Sequence, residues 1–204
     1  MKKFRLLLTV VCMMLLYGCS KEYRYIELLP EGWQEATADG INNNGEVVGN
    51  GLEGIEANFY LYSNGYYTEL PRPLGYNNTM IRGLDLNDNG ELLVQLALGG
   101  SRYGYGPIKS FIYTNDNYTE ILPPGLEYFE ATAINNNGDV IGDGYDMEVG
   151  YGKNYIYTSG KFMELPQPAL WSFFQPIDIN DYGEITGSFV NLNGVYKGFI
   201  AIPK

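Results

Sequence analysis

Ile41-Asn42-Asn43-Asn44-Gly45-Glu46 is the stretch of sequence that decides the fold, because three further copies of it follow along the chain. The copies occupy residues 86–91, 134–139 and 179–184, and their glycines are 45, 48 and 45 residues apart. An Asn-Gly pair between apolar residues is the strongest short hairpin signal, because both turn positions favour positive φ. The repetition therefore predicts four copies of one β unit.

A second element recurs within each copy, at residues 58–62, 110–113, 154–157 and 198–201; the first three contain at least two aromatic residues each and the fourth contains one. A short polar turn and a segment ending in Pro follow the first three of these elements. Each repeat thus contains four short strands in about 45 residues, which is the size of a β-propeller blade.

The fourth repeat ends at residue 204, after its third strand, and the missing strand has a counterpart at the other end of the chain. Residues 25–30, Tyr-Ile-Glu-Leu-Leu-Pro, closely copy residues 118–123, Tyr-Thr-Glu-Ile-Leu-Pro. A strand offset of this kind closes a ring of blades and removes its open edges. We therefore predict an all-β domain over residues 23–204, a four-bladed β-propeller closed by the N-terminal strand. A β-sandwich built from the same hairpins is the alternative.

These elements resemble the extracellular HAF repeats, which pair Ile-Asn-x-x-Gly-x-Val-Val-Gly with a His-Ala-Phe-Leu-Trp hairpin. The resemblance spans all four repeats and implies an exported, propeller-like repeat protein with no established catalytic residue to transfer. Two family positions differ here. The His is replaced by Ala57, Lys109, Lys153 and Lys197, and the Trp by Tyr62, Tyr113, Tyr157 and Ala201.

The N-terminus has the pattern of an export signal. Residues 1–5 are basic and residues 6–17 are almost entirely apolar, which is too short for a transmembrane helix. The following Leu16-Tyr17-Gly18-Cys19-Ser20 resembles the bacterial lipobox. That resemblance implies that residues 1–18 are a lipoprotein signal peptide, that Cys19 is acylated, and that residues 19–22 link the lipid to the domain. Ser20 resembles the sorting preference for the Gram-negative outer membrane. An ordinary signal peptide with an incidental Cys is the alternative.

Composition excludes several classes of function. The sequence contains no His, so imidazole bases, His metal ligands and Ser–His or Cys–His nucleophile systems are excluded. The formal charge of −11 disfavours nucleic acid as a partner. The same charge is repelled by anionic lipid, so attachment to a membrane requires the covalent anchor.

Two groups of oxygen-bearing side chains are candidates for a metal site or for catalysis. Asp85, Asn87 and Asn89 have the spacing of a calcium loop, but Asn and Asp also make hairpin turns by bonding their own backbone. We interpret them as turn residues, expect no cofactor, and keep calcium as the alternative. Carboxylate pairs can hydrolyse glycosides without His. The repeated glutamates favour a structural role, because a catalytic pair is expected to break the repeat. They are Glu27, Glu69, Glu120 and Glu164.

Aromatic residues in the connections are the remaining clue to function. Rings beside Gly suit stacking on sugars or docking of a protein partner. The candidate ligand-binding residues are Trp33, Tyr76, Tyr103, Tyr105, Tyr128, Tyr151, Trp171 and Phe173. The sequence therefore predicts a lipid-anchored protein of the cell envelope that is not an enzyme and that binds or scaffolds a glycan or an envelope protein. A carboxylate-dependent glycoside-acting enzyme is the alternative.

Overall fold

A computed structural model describes residues 24–54, 56–76, 80–98, 108–146 and 151–204, with only the backbone of Asp146 and Tyr151. The expected signal peptide, Cys19 and its linker lie outside the described residues, as do Tyr103 and Tyr105. The described chain is all-β and forms sixteen strands in four antiparallel sheets, which confirms the predicted class. No helix in these ranges has the length and apolarity needed to cross a membrane.

Each sheet contains one repeat, and its strands pair in chain order except that the first strand of the first sheet is broken in two. The first sheet contains β1 (Glu35–Ala36), β2 (Gly40–Ile41), β3 (Val47–Glu53), β4 (Glu56–Ser63) and β5 (Tyr66–Glu69). The second contains β6 (Met80–Leu86), β7 (Leu92–Ala97), β8 (Ile108–Thr114) and β9 (Asn117–Ile121).

The third sheet repeats this order, whereas the fourth stops one strand short. The third contains β10 (Tyr128–Ile134), β11 (Val140–Asp146), β12 (Tyr151–Thr158) and β13 (Lys161–Leu165). The fourth contains β14 (Trp171–Ile179), β15 (Ile185–Asn191) and β16 (Tyr196–Ala201). In the described chain β16 therefore pairs with β15 alone and forms a sheet edge.

The two kinds of hairpin use different turns. At the Asn-Gly turn of the first repeat, the Gly45 amide donates to the Asn42 carbonyl, and Gly45 alone of residues 43–45 has positive φ, 75°. This is a turn followed by a left-handed glycine, not the two-residue turn that the sequence predicts. The two-residue type with both positions at positive φ occurs between the third and fourth strands. Those pairs are Asn64-Gly65, Asn115-Asp116 and Ser159-Gly160.

The strand register corrects one position of the family comparison. Val47 pairs with Tyr62 on β4 just as Leu92 pairs with Tyr113 on β8. Counting back from these pairs, Asn58 and not Ala57 occupies the position of Lys109. The error is one residue, and in a strand one residue reverses the face on which a side chain lies.

The hydrophobic core lies between successive sheets. The first strand of each repeat packs on the preceding sheet: β6 on β3 and β4, β10 on β7 and β8, and β14 on β10 and β11. The three clusters of buried side chains follow the same order. Val48 and Phe59 meet Ile81 and Leu86, Leu93 and Ile121 meet Phe129 and Ile134, and Ile141 meets Ile179.

The predicted closing strand is not formed in the described structure. Residues 24–30 have no strand assignment, and Tyr25 is 92% exposed. The backbone amide of Leu29 donates to the Tyr67 hydroxyl of the first sheet at 3.0 Å. In the described chain β16 pairs with β15 and not with this segment, so the segment has no ladder of hydrogen bonds that would hold it as a strand.

Candidate functional site

Four asparagines hold the turns between the first and second strands, three of them Asn-Gly turns and the fourth Tyr182-Gly183, and each does so with its own side chain. The Asn135 Oδ1 accepts the backbone amides of Asn137 and Asp139 at 3.0 and 2.8 Å, and its Nδ2 donates to the Asp139 carboxylate at 3.0 Å. Asn42, Asn87 and Asn180 accept the two corresponding amides of their own turns. Each turn is therefore stabilised by hydrogen bonds to its own asparagine side chain.

The same side chains tie one repeat to the next. The Nδ2 groups of Asn42, Asn87 and Asn135 also donate to the backbone carbonyls of Asn87, Asn135 and Asn180, at 3.1, 3.0 and 2.9 Å. A second row, from Asn44, Asn89 and Asn137, donates to the carbonyls of the following turns at 2.7 to 3.0 Å. Because Asn87 and Asn135 are buried, the hydrogen bonds of the first row satisfy groups that are partly or fully shielded from water.

An outer row alternates amide and carboxylate. Asn43 donates its Nδ2 to the Asp88 Oδ2 at 2.8 Å, and Asn136 donates its Nδ2 to Asp88 and Asp181 at 3.1 and 3.0 Å. Each backbone amide donates forward as well, from Asn43 to Asp88, from Asp88 to Asn136 and from Asn136 to Asp181. The hydrogen bonds from Asn43 lower the pKa of Asp88. We call these three rows the amide ladder.

The amide ladder lies at one end of the sheets, because strands alternate in direction. The connections between first and second strands and between third and fourth strands lie at this end, which we call the turn end. The second and fourth strands end, and the first and third strands begin, at the opposite end, which we call the connection end.

Three of the predicted ligand-binding aromatics occupy one equivalent position at the connection end. The amides of Trp33, Tyr76 and Trp171 donate to a proline carbonyl three residues earlier, at 3.0 to 3.3 Å. Their rings pack on an aromatic of their own sheet, at centroid distances of 5.7, 6.1 and 5.4 Å. The partners are Tyr60, Phe111 and Phe199. The structure thus spreads these three rings over three sheets and does not bring them into one pocket, and Trp33 is buried.

The remaining candidates differ in exposure. Tyr128 is half-buried at the start of β10, whereas Phe173 on β14 is 39% exposed. Phe173 lies 6.1 Å from Tyr196, ring centre to ring centre, and Tyr196 is 69% exposed. The side chain of Tyr151, like Tyr103 and Tyr105, lies outside the described residues.

Sequence reasoning missed Tyr196 and the stack of Trp171 on Phe189, whose centroids are 3.8 Å apart. Phe189 occupies the position that Gly51 and Gly144 have in the first and third sheets. That break in the repeat was the available signal, and it concentrates aromatic rings on the last sheet.

The candidate calcium ligands Asp85, Asn87 and Asn89 make hydrogen bonds to other groups of the domain. Asp85 accepts the amides of Leu86 and Ile134 at 2.9 and 3.1 Å, while Asn87 and Asn89 belong to the amide ladder. Burial raises the pKa of Asp85, and the charge of Asp178 adds to the rise. Among the described residues no group of three acidic or Cys side chains could hold a metal ion.

Two of the four repeated glutamates form ion pairs within their own sheets. Glu120 pairs with Lys109 at 2.6 Å, and Glu164 pairs with Lys153 at 2.8 Å. The two glutamates occupy equivalent places in different sheets, so their regular spacing follows from the repeat.

No protein-family model matches the chain, and no curated protein is found similar to it. The resemblance to HAF repeats therefore stays a prediction from the residues themselves.

Proposed function

We propose that this protein is a cell-envelope lipoprotein, anchored through Cys19 to the outer membrane of a Gram-negative bacterium, whose repeat domain binds or scaffolds a glycan or an envelope protein. The observation that carries the proposal is the difference between the two ends of the sheets. At the turn end, the amide ladder satisfies polar groups internally from the first repeat to the last. The connection end carries Phe173 and Tyr196, whose exposed rings suit stacking or docking.

The anchor fits this orientation. The segment 24–30 ends at the Pro30 turn of the connection end, so an extended segment begins toward the turn end. Only residues 20–23 separate it from Cys19, and four extended residues span about 14 Å. The lipid therefore holds the turn end near the membrane, and the connection end points away from it.

We propose further that the four sheets are the blades of a β-propeller and that residues 25–29 close its ring on β16. Equivalent residues at the two ends of the series support closure. Leu86, Ile134 and Ile179 are buried against the preceding sheet, whereas their equivalent Ile41 is 70% exposed. On β16, Ile200 is 67% exposed. Closure covers both apolar faces.

The amide ladder supports the same closure. Its outer row alternates Asn43, Asp88, Asn136 and Asp181, so a ring of four joins Asp181 to Asn43 without a mismatch. The charge of Asp178 on β14 also raises the pKa of Asp85 on β6, although another sheet separates the two strands. In a four-bladed ring, β6 and β14 are the first strands of opposite blades and face each other across the central axis, which explains why the two carboxylates interact. In the β-sandwich alternative the sheets pair as two layers. That arrangement does not require Asn43 and Asp181, the two ends of the outer row, to be complementary.

The register of the closing strand follows from the other sheets. Glu120 lies opposite Phe111 and Glu164 opposite Tyr155, which places Glu27 opposite Phe199. In that register Glu27 lies beside Lys197 as Glu120 lies beside Lys109. Deletion of residues 23–30 should therefore cause unfolding or aggregation, and an unchanged melting temperature contradicts closure by this strand.

The anchor and the orientation have separate tests. Mass spectrometry of the wild-type protein should find Cys19 acylated, and Cys19→Ser should release the protein from the membrane fraction. In anchored protein, a cysteine at Leu170 should react with a soluble maleimide, and one at Asn64 should be shielded. An unmodified Cys19 contradicts the anchor, and the reverse labelling pattern contradicts the orientation.

Binding and catalysis can be separated with one panel of polysaccharides. The binding proposal predicts retention on a glycan or capture of one envelope protein, lost in the double variant Phe173→Ala and Tyr196→Ala. Leu192→Ala is the matched control, because Leu192 is also an exposed apolar side chain of the last sheet, in the turn between β15 and β16. Turnover that one Glu→Gln or Asp→Asn change abolishes favours the glycoside-acting enzyme instead.

A further inference from the structure

The contact between the third and fourth sheets lacks a hydrogen bond that the preceding contact has. Between the second and third sheets, Ser110 on β8 accepts the Ala131 amide at 2.9 Å and donates to the Phe129 carbonyl at 2.8 Å. Beside it on β7, Gln95 donates its Nε2 to the Ala131 carbonyl at 2.8 Å. Both polar groups of Ala131 are thereby satisfied by the second sheet.

Between the first and second sheets a single side-chain amide makes both of the corresponding hydrogen bonds. Asn50 on β3 donates its Nδ2 to the Gly83 carbonyl and accepts the Gly83 amide, each at 2.9 Å. Gly83 and Ala131 stand at the same register position, immediately before the bulge in the first strand of their sheets.

In the fourth sheet this position is Pro176, which has no backbone N–H. Asn154, the equivalent of Ser110, still donates its Nδ2 to the Phe174 carbonyl at 2.9 Å. Its Oδ1 is buried and accepts no hydrogen bond from any group in the described part of the chain. The missing donor is the amide that Ala131 provides to Ser110. A buried acceptor without a hydrogen bond destabilises the fold, because the lost contact with water is not replaced.

Asp143 lies directly opposite Asn154 across the β11–β12 ladder, at the position of Asn50 and Gln95. Those two residues donate an amide hydrogen to the next sheet. An ionised carboxylate has no hydrogen to donate, whereas a protonated carboxyl has one. Side chains directly opposite in a ladder are close enough for this contact.

We propose that Asp143 is a protonation-dependent clasp between the third and fourth sheets, whose neutral carboxyl donates a hydrogen bond to the Asn154 Oδ1. The proton replaces the donor that Pro176 lacks. Ionisation removes the donor and leaves a carboxylate facing an unsatisfied oxygen, which loosens the attachment of the last sheet. Because the last sheet carries Phe173 and Tyr196, the pH of the compartment also regulates the surface to which the proposed function assigns binding.

The charges around Asp143 favour its neutral form. Burial, with the charge of Glu130 opposite on β10, raises the pKa of Asp143 to about 6. On β12, Lys153 lies one residue out of register with Asp143, on the other face, and is paired with Glu164. From β14 the facing residue Pro176 is uncharged. The contribution of Asp143 to stability is therefore present below about pH 4 and is lost as the pH rises through about 6.

The test follows Asp143 directly in the full chain. A carboxyl-carbon NMR titration should give a midpoint near pH 6. Asp143→Asn supplies a permanent donor, so its melting temperature should lack the fall that the wild type shows between pH 4 and 6.5. Asp181→Asn is the control, because Asp181 belongs to the amide ladder and should leave that fall in place. A midpoint near 4, or an unchanged fall in Asp143→Asn, overturns the proposal.

A second variant separates the hydrogen bond from burial alone. Pro176→Ala restores an N–H that can donate to Asn154, as the Ala131 amide donates to Ser110. The hydrogen bond to Asn154 then no longer stabilises the neutral form of Asp143, so the midpoint of the Asp143 titration should fall by at least half a pH unit. A midpoint that stays near 6 in Pro176→Ala shows that Asn154 is not the partner and overturns the clasp. This outcome leaves the anchor and the ligand-binding proposal untouched.

Discussion

Replacement of Asn135 by Ala should destabilise the protein far more than the same change at Asn191. The Asn135 side chain makes four hydrogen bonds, to the amides of Asn137 and Asp139, the Asp139 carboxylate and the Asn180 carbonyl. At about 0.5–1.5 kcal/mol each, their loss costs about 3–4 kcal/mol, since Asn135 is buried and the hydrogen bonds are at least partly shielded from water.

Asn191 is a matched control, because its Oδ1 accepts the amides of Asn193 and Val195 at 3.0 Å in the same kind of turn. Its turn lies at the free end of the last sheet, so we expect a loss of about 1 kcal/mol. Urea denaturation with linear extrapolation measures both free energies of unfolding. Costs that agree within about 0.5 kcal/mol refute the claim that the amide ladder joins the repeats.

Two further predictions concern close packing and pH. Gly142→Ala should cost about 1–3 kcal/mol, since its added Cβ falls 2.3 Å from the Glu130 carbonyl oxygen. The Cβ of Gly152→Ala meets no described atom closer than 3.5 Å, so this change should be nearly neutral. Equal urea midpoints for the two variants contradict this. The lowered pKa of Asp88 means that its contribution to stability is present above about pH 4 and is lost as the pH falls through the folded-state pKa. Asp88→Asn should therefore flatten the melting-temperature profile between pH 2 and 4, and a profile parallel to that of the wild type contradicts the role given to this carboxylate.

Much of the fold could be read from the sequence, because its determinants are local and recur four times. The Asn-Gly turns and the aromatic hairpins predict the number of sheets and the strands within each. The turn geometry could not be read in the same way. Asn42 bonds two amides of its own turn with its side chain, and this favours a single left-handed residue, Gly45.

The candidate site was harder to predict, because packing partners are distant in sequence. Trp33 and Trp171 look exposed beside their turns, yet each packs on the third-strand aromatic of its own sheet, Tyr60 or Phe199. The hydrogen bond from Asn135 to the next repeat could not be predicted from the sequence for a related reason. Its partner carbonyl lies 45 residues away, and the local pattern indicates only that Asn suits a turn.

Ring closure is tested most directly by trapping the N-terminal strand on the edge of the last sheet. Met163 pairs with Ile156, and the same register places Ile26 opposite Ile200. Both side chains are exposed, at 54% and 67%, so cysteines there disturb little packing. The acylated protein carrying Ile26→Cys and Ile200→Cys should form a disulfide within one chain under mild oxidation, whereas Ile26→Cys with Tyr196→Cys should not. Free thiols in the first pair, or disulfides between chains only, contradict a ring closed by the N-terminal strand.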